Sequence, residues 1–105
     1  MDFDPTVGSE MQKIRPAVVI SSDVFGNLPI KLVAPITGWQ DHFEENIWRV
    51  RVEPNDTNGL TGDSAIDVMH IRGIDLIRFI RKRGRLDATF IEEIALVINT
   101  VIGNE

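Results

Sequence analysis

The densest chemistry in the chain lies in residues 8–22, GSEMQKIRPAVVISS, where Glu10, Lys13 and Arg15 precede a β-branched apolar run. A carboxylate there can take a proton after a modest rise in its pKa. A guanidinium is planar, always protonated and matched to the paired oxygens of a phosphate. Two further side chains have reactive potential: the hydroxyl of Thr37, and the imidazole of His70, the side-chain type that titrates near neutrality. Each has a plainer reading: Arg15 as a strand-edge cation paired with a surface acid, Glu10 as the partner of Lys13, Thr37 as a strand-end hydroxyl, and His70 as a satisfied, half-buried ring.

The elements that must hold these residues are mostly strands. Pro16 is tolerated at the start of PAVVIS because no ladder donor is needed there, and it biases Arg15 towards an extended backbone. Residues 1–7 read as the tail of a strand. Residues 23–29 carry Gly-Asn turn chemistry, and residues 30–37 (IKLVAPIT) form a strand whose Pro35 implies an edge or a bulge, with Thr37 at its end. Residues 38–46 are a polar loop holding Trp39, His42 and Phe43, which suit either base stacking or a protein interface. Residues 47–53 alternate, with Trp48, Val50 and Val52 opposite Arg49 and Arg51, as a half-exposed strand does.

Residues 54–63 (PNDTNGLTGD) are a turn, and residues 64–71 (SAIDVMHI) read as a fourth strand with Ile66, Val68 and His70 on one face. Residues 74–86 read as a turn followed by a basic strand. Asp87 is an N-cap, and Phe90, Ile91, Ile94, Ala95, Ile98, Val101 and Ile102 recur at helical spacing up to Gly103. The expected class is mainly β with a C-terminal helix: five or so short strands in a small twisted or barrel-like sheet.

Length and composition agree with one domain. A chain of 105 residues buries about 65% of its unfolded surface, enough for one core and too little for a second domain. The absence of cysteine removes disulfides and thiolate metal sites and suits a reducing compartment. No apolar run approaches a membrane span, and the start lacks the basic head and apolar core of a signal peptide, so the expected location is cytoplasmic. A net charge of −5 argues against a general nucleic-acid binder, yet residues 72–105 hold six basic side chains against five acidic ones, with Arg78, Arg81, Lys82, Arg83 and Arg85 close together. That run reads as a solvated strand face or as a track for an RNA backbone.

Six segments in order, DPTVGSE, IRPAVVIS, VAPIT, NGL followed by DS, IRGID and GRLD, resemble the MazF/PemK family of type II toxin–antitoxin toxins over nearly the whole chain. The resemblance implies a small SH3-like β-barrel with a C-terminal helix, in this chain with a truncated first strand because the sequence begins inside it. It implies a homodimer whose groove takes single-stranded RNA, cleaves it without a metal or other cofactor, and is blocked by a cognate antitoxin. It also admits a non-catalytic alternative, a gyrase poison or a degenerate member that binds antitoxin only, because one barrel can carry several functions.

In metal-free RNA cleavage the ribose 2′-OH attacks phosphorus, so a protein orients the hydroxyl, takes its proton and stabilises the charge that grows on the phosphate. The resemblance assigns the charge term to Arg15 and a phosphate hydrogen bond to Thr37. The proton acceptor is left between Glu10 and His70. Ser9, Lys13, His70 and Arg72 are the RNA-binding candidates, and the positions where some relatives carry an acid–base pair hold Asp67 and Met69 here.

Overall fold

The computed structural model describes residues 6–10, 15–21, 29–75 and 78–103, with the backbone alone at 6–10, 15, 80 and 81. Lys13, residues 1–5 and most of the loop at 23–29 lie outside the described residues. Among the described residues seven strands, β1 (Thr6–Glu10), β2 (Arg15–Val19), β3 (Ile30–Gly38), β4 (Arg49–Val52), β5 (Ser64–Asp67), β6 (Arg72–Asp75) and β7 (Phe79–Arg85), precede helix α1 (Ala88–Val101). Every ladder is antiparallel. The order is β4-β5-β3-β2-β1-β7, with β6 also on β3. Among the described residues no ladder joins β4 to β7, so the sheet is not closed into the hydrogen-bonded barrel expected from the resemblance.

Strand β3 organises the sheet because it changes partner along its length. Ile30 to Val33 pair with β6, Ile36 to Gly38 pair with β5, and Pro35 falls between the two sets. A residue without an N–H costs nothing at a handover where neither neighbour needs a donor. The proline thus marks a change of partner rather than the sheet edge.

The central residues of β2 and β3, from Ala17 to Val19 and from Val33 to Ile36, are enclosed on both faces, which explains why PAVVI and VAPI read as continuous apolar runs. Val18 and Ile20 with Ala34 and Ile36 enter the main core, where Val50, Val52, Ile66, Val68, Leu86, Ile91 and Ile94 meet them. The alternate residues Ala17, Val19 and Val33 form a smaller cluster with Ile74 on the opposite face. Helix α1 covers the main core through Ile91 and Ile94. Asp87 caps it as expected, accepting from Thr89 N at 3.0 Å, and Gly103 ends it at φ 75°.

The NGL and GRLD segments meet in space. Asn58 is fully buried: its Oδ1 accepts from Asn55 N and Leu60 N, and its Nδ2 donates to Glu53 O. This amide replaces backbone partners that the turn cannot supply. The turn lies hard against β7, with Arg85 N donating to Thr57 O at 2.9 Å. A Cβ on Gly59 would lie 2.0 Å from Arg83 O, and one on Gly84 2.4 Å from Thr57 O. Close approach of two backbones is what requires glycine at both places.

Residues 64–71 depart from the expected strand. The strand stops at Asp67, and Val68–His70 form a 3₁₀ turn capped by the Asp67 side chain, which accepts from Met69 N. An aspartate whose carboxylate reaches the N–H two residues on favours a turn over continued pairing. His70 therefore does not share a strand face with Ile66 and Val68.

Candidate active site

A cleft of about 310 Å³ opens on the face of β2 and β3 that is turned away from the main core, lined by Pro16, Ala17, Val33, Pro35, Thr37, Asp67, His70 and Arg72. Register explains the membership. Ala17 pairs with Pro35, Val33 with Arg72, and Thr37 with Ala65 two residues before Asp67, so one parity of four strands supplies most of the lining, and Pro16 at the start of β2 and His70 from the following turn complete it. Arg15 belongs to the parity of Ala17 and Val19 and sits at the end of β2 where β3 presents Thr37. Glu10 is the Cα partner of Arg15 across β1–β2. Strand alternation therefore puts Glu10, Arg15 and Thr37 on one face and Ser9, the partner of Pro16, on the other.

A second cleft of about 340 Å³ lies across the ridge made by Pro16 and Thr37, which line both. Its other walls are Ile36, Gly38, the segment from Leu60 to Ser64, and Arg83. Arg83 is the extra residue of a register shift, because β1 pairs Val7 with Gly84 and Gly8 with Lys82. A bulge re-aims the residue it carries. In the basic run 78–85, Arg83 is thus set apart from the strand face expected of its neighbours.

The turn at Val68–His70 adds a relationship that a period-two reading hides. Residues three apart eclipse in a 3₁₀ helix, whereas in a strand they point to opposite faces. Asp67 Oδ2 and His70 Nδ1 are 2.8 Å apart, and the other carboxylate oxygen holds Met69 N at 3.0 Å. Asp67 lines the cleft although strand alternation in the sequence does not single it out. The signal that could have found it is the D-x-x-H spacing combined with the turn-forming habit of aspartate.

The aromatic loop at 38–46 is built differently from a free stacking platform. It folds as a 3₁₀ turn over Asp41–Glu45 with Phe43 buried. Trp39 and His42 meet the Phe43 ring edge-on, with centroids 5.7 and 4.7 Å away, and the Arg49 guanidinium lies 4.0 Å over it. Phe43 is spent on packing. Arg51 binds Asp63 at 2.7 Å and stands 5.0 Å over Trp39, and the Asp63 carboxylate raises the pKa of its guanidinium. Among the described residues no three side chains of metal-ligating type gather, and no helix is long and apolar enough to cross a membrane.

The sequence model of the PemK-like, MazF-like toxins of type II toxin–antitoxin systems matches residues 1–102. The chain belongs to this family. No protein of curated function matches it in sequence. Among solved structures, this MazF-like toxin is similar to the Mycobacterium tuberculosis toxin MazF-mt6, at 24% identity and a TM-score of 0.79 over 96% of this chain and 98% of that one. It is also similar to a mycobacterial endoribonuclease solved with its cognate antitoxin, at 14% identity and 0.78 over 100% and 98%. A MazE–MazF structure from Deinococcus radiodurans matches at 18% identity and 0.74 over 99% and 98%. At these identities the likeness establishes the shared fold, mainly β with a C-terminal helix.

Proposed function

We propose that this MazF-like toxin is a metal-independent, sequence-selective endoribonuclease that cuts single-stranded RNA through attack of the ribose 2′-OH. One juxtaposition supports the reading: Thr37, His70 and Arg72 line a single cleft on the face where strand parity groups Arg15 and Glu10. Such a set matches the needs of the reaction, with cations and a hydroxyl for a phosphate and two groups able to accept a proton. Arg15 stabilises the charge on the phosphorane-like transition state, and Thr37 donates a hydrogen bond to the same group. Arg72 and Lys13 hold flanking phosphates, Ser9, the ladder partner of Pro16, is a further RNA contact, and the second cleft, with Thr61, Ser64 and Arg83, offers polar groups for base choice.

The same proposal includes a homodimer and a cognate antitoxin that occupies the RNA groove, in a cytoplasmic setting. Ile30 and Leu32 on β3, Leu96 on α1 and Ile102 at the C-cap of α1 are exposed, and partners of this kind would cover such surfaces. The test is incubation of the purified protein, with EDTA present, with a long RNA of little secondary structure. The expected result is a few sequence-specific cuts that disappear in Arg15→Ala and on addition of antitoxin. Binding of antitoxin without any cleavage would favour the non-catalytic alternative.

A further inference from the structure

The 3₁₀ turn at Val68–His70 assembles a two-residue device that the pattern of Arg15 and Thr37 does not include. Asp67 is nearly enclosed, its side chain 11% exposed, whereas the His70 side chain is 71% exposed and lines the first cleft. An ionised carboxylate only accepts hydrogen bonds, so at 2.8 Å the His70 Nδ1–H donates to Asp67 Oδ2. In the neutral ring this leaves Nε2 with an unprotonated lone pair. The second Asp67 oxygen is held by Met69 N, so the carboxylate cannot swing away without uncapping the turn that carries the histidine.

We propose that Asp67 and His70 are the proton-transfer pair of this cleft, with His70 as general base and Asp67 as a positioning residue; this rests on the ribonuclease reading given above. His70 Nε2 takes the 2′-OH proton as the 2′-oxygen forms its bond to phosphorus. The bond from phosphorus to the 5′-oxygen breaks, the 5′-oxygen takes a proton from solvent, and the imidazolium returns its own to water. The products are a 2′,3′-cyclic phosphate and a 5′-hydroxyl.

The other charges around the turn fit this role. Arg72 lines the same cleft and, with Arg15 by parity, supplies positive charge for the phosphate. Arg49, the ladder partner of Asp67 on β4, turns its guanidinium to Asn46 and the Phe43 ring instead. The residues of β2 and β3 that line the cleft are uncharged, and no α1 residue lines it.

The test is single-turnover RNA cleavage against pH, with binding of a 2′-O-methyl RNA as a separate readout. His70→Ala is expected to lower the rate about 10²- to 10⁴-fold and to remove the rise of rate with pH on the acid side. Added imidazole restores part of the rate, and affinity for the 2′-O-methyl RNA stays within about threefold. Asp67→Asn keeps an acceptor for Met69 N but removes the carboxylate that selects the ring tautomer; it lowers the rate about tenfold or more with KM unchanged. His70 is exposed, so its variant keeps the fold even where Asp67→Asn does not. Wild-type rate and pH profile in His70→Ala, or a loss confined to RNA affinity, would overturn the proposal alone. A wild-type protein that cuts no RNA would overturn the ribonuclease reading together with it.

Discussion

Glu10 and Arg15 are direct partners across the β1–β2 ladder, one closing the first strand and the other opening the second. Residues opposed in an antiparallel pair share a face, so the acid and the cation belong to one end of the sheet by register rather than by closeness in sequence. That end is also where Thr37 stands one residue before the end of β3.

The first prediction separates their roles. Arg15→Ala lowers cleavage by about 10²-fold or more, the scale of one transition-state donor, while circular dichroism and thermal melting stay near wild type. Arg15→Lys restores only a fraction, because an ammonium lacks the planar fork. Glu10→Gln is expected to slow the reaction less than His70→Ala does, because the proton is proposed to pass to the histidine. Rates of the four proteins on one RNA check the order.

Thr37 is exposed and pairs through its backbone with Ala65, so its hydroxyl can be removed without disturbing the ladder. Thr37→Ala is expected to cost about tenfold in kcat, the size of one hydrogen bond to a charged group, and Thr37→Ser to recover most of it. Equal losses in the two variants would show that the methyl group matters and the hydroxyl does not.

Asn58 is the polar centre of the turn against β7, and its amide uses both its oxygen and its nitrogen. Asn58→Ala leaves buried backbone groups unsatisfied and lowers stability by about 2–4 kcal/mol. Asn58→Asp keeps the acceptor and loses the donor to Glu53 O, and it is destabilised as well. Urea midpoints with unchanged slopes would measure both.

Glycine positions divide cleanly. Gly59 has φ +69° and its added Cβ would strike Arg83 O, so Gly59→Ala destabilises by more than about 1 kcal/mol. Gly38 has open space around its Cβ position, and Gly38→Ala is tolerated. Because the Gly59 turn presses on the backbone of Arg83, Gly59→Ala is also expected to change the second cleft and so the choice of cut site, read by sequencing the fragments at a temperature where the variant is folded.

Much of this was legible in the sequence for definite physical reasons. The capped amphipathic helix, the alternation at Val50 and Val52, and the two-sided burial of PAVVI follow from periodicity, and the order of six motifs gave the family. Pro35 was readable as an interruption, but its meaning needed the sheet, since one strand cannot show that its neighbour changes. The same limit hid the Arg83 bulge, which exists only against β1. His70 was named, whereas Asp67 was passed over, because a strand reading separates residues three apart and a 3₁₀ turn unites them. By sequence Phe43 suits either base stacking or a protein interface, and only the fold shows it buried with Arg49 over its ring.

The most direct measurement is end mapping of RNA cut in EDTA, alongside a matched substrate carrying a single 2′-deoxy nucleotide at the cut site. The account predicts fragments with 5′-hydroxyl and 2′,3′-cyclic phosphate ends from the first RNA and no cut at the substituted position in the second. Cleavage that persists at the 2′-deoxy position, or fragments bearing 5′-phosphates, would contradict it.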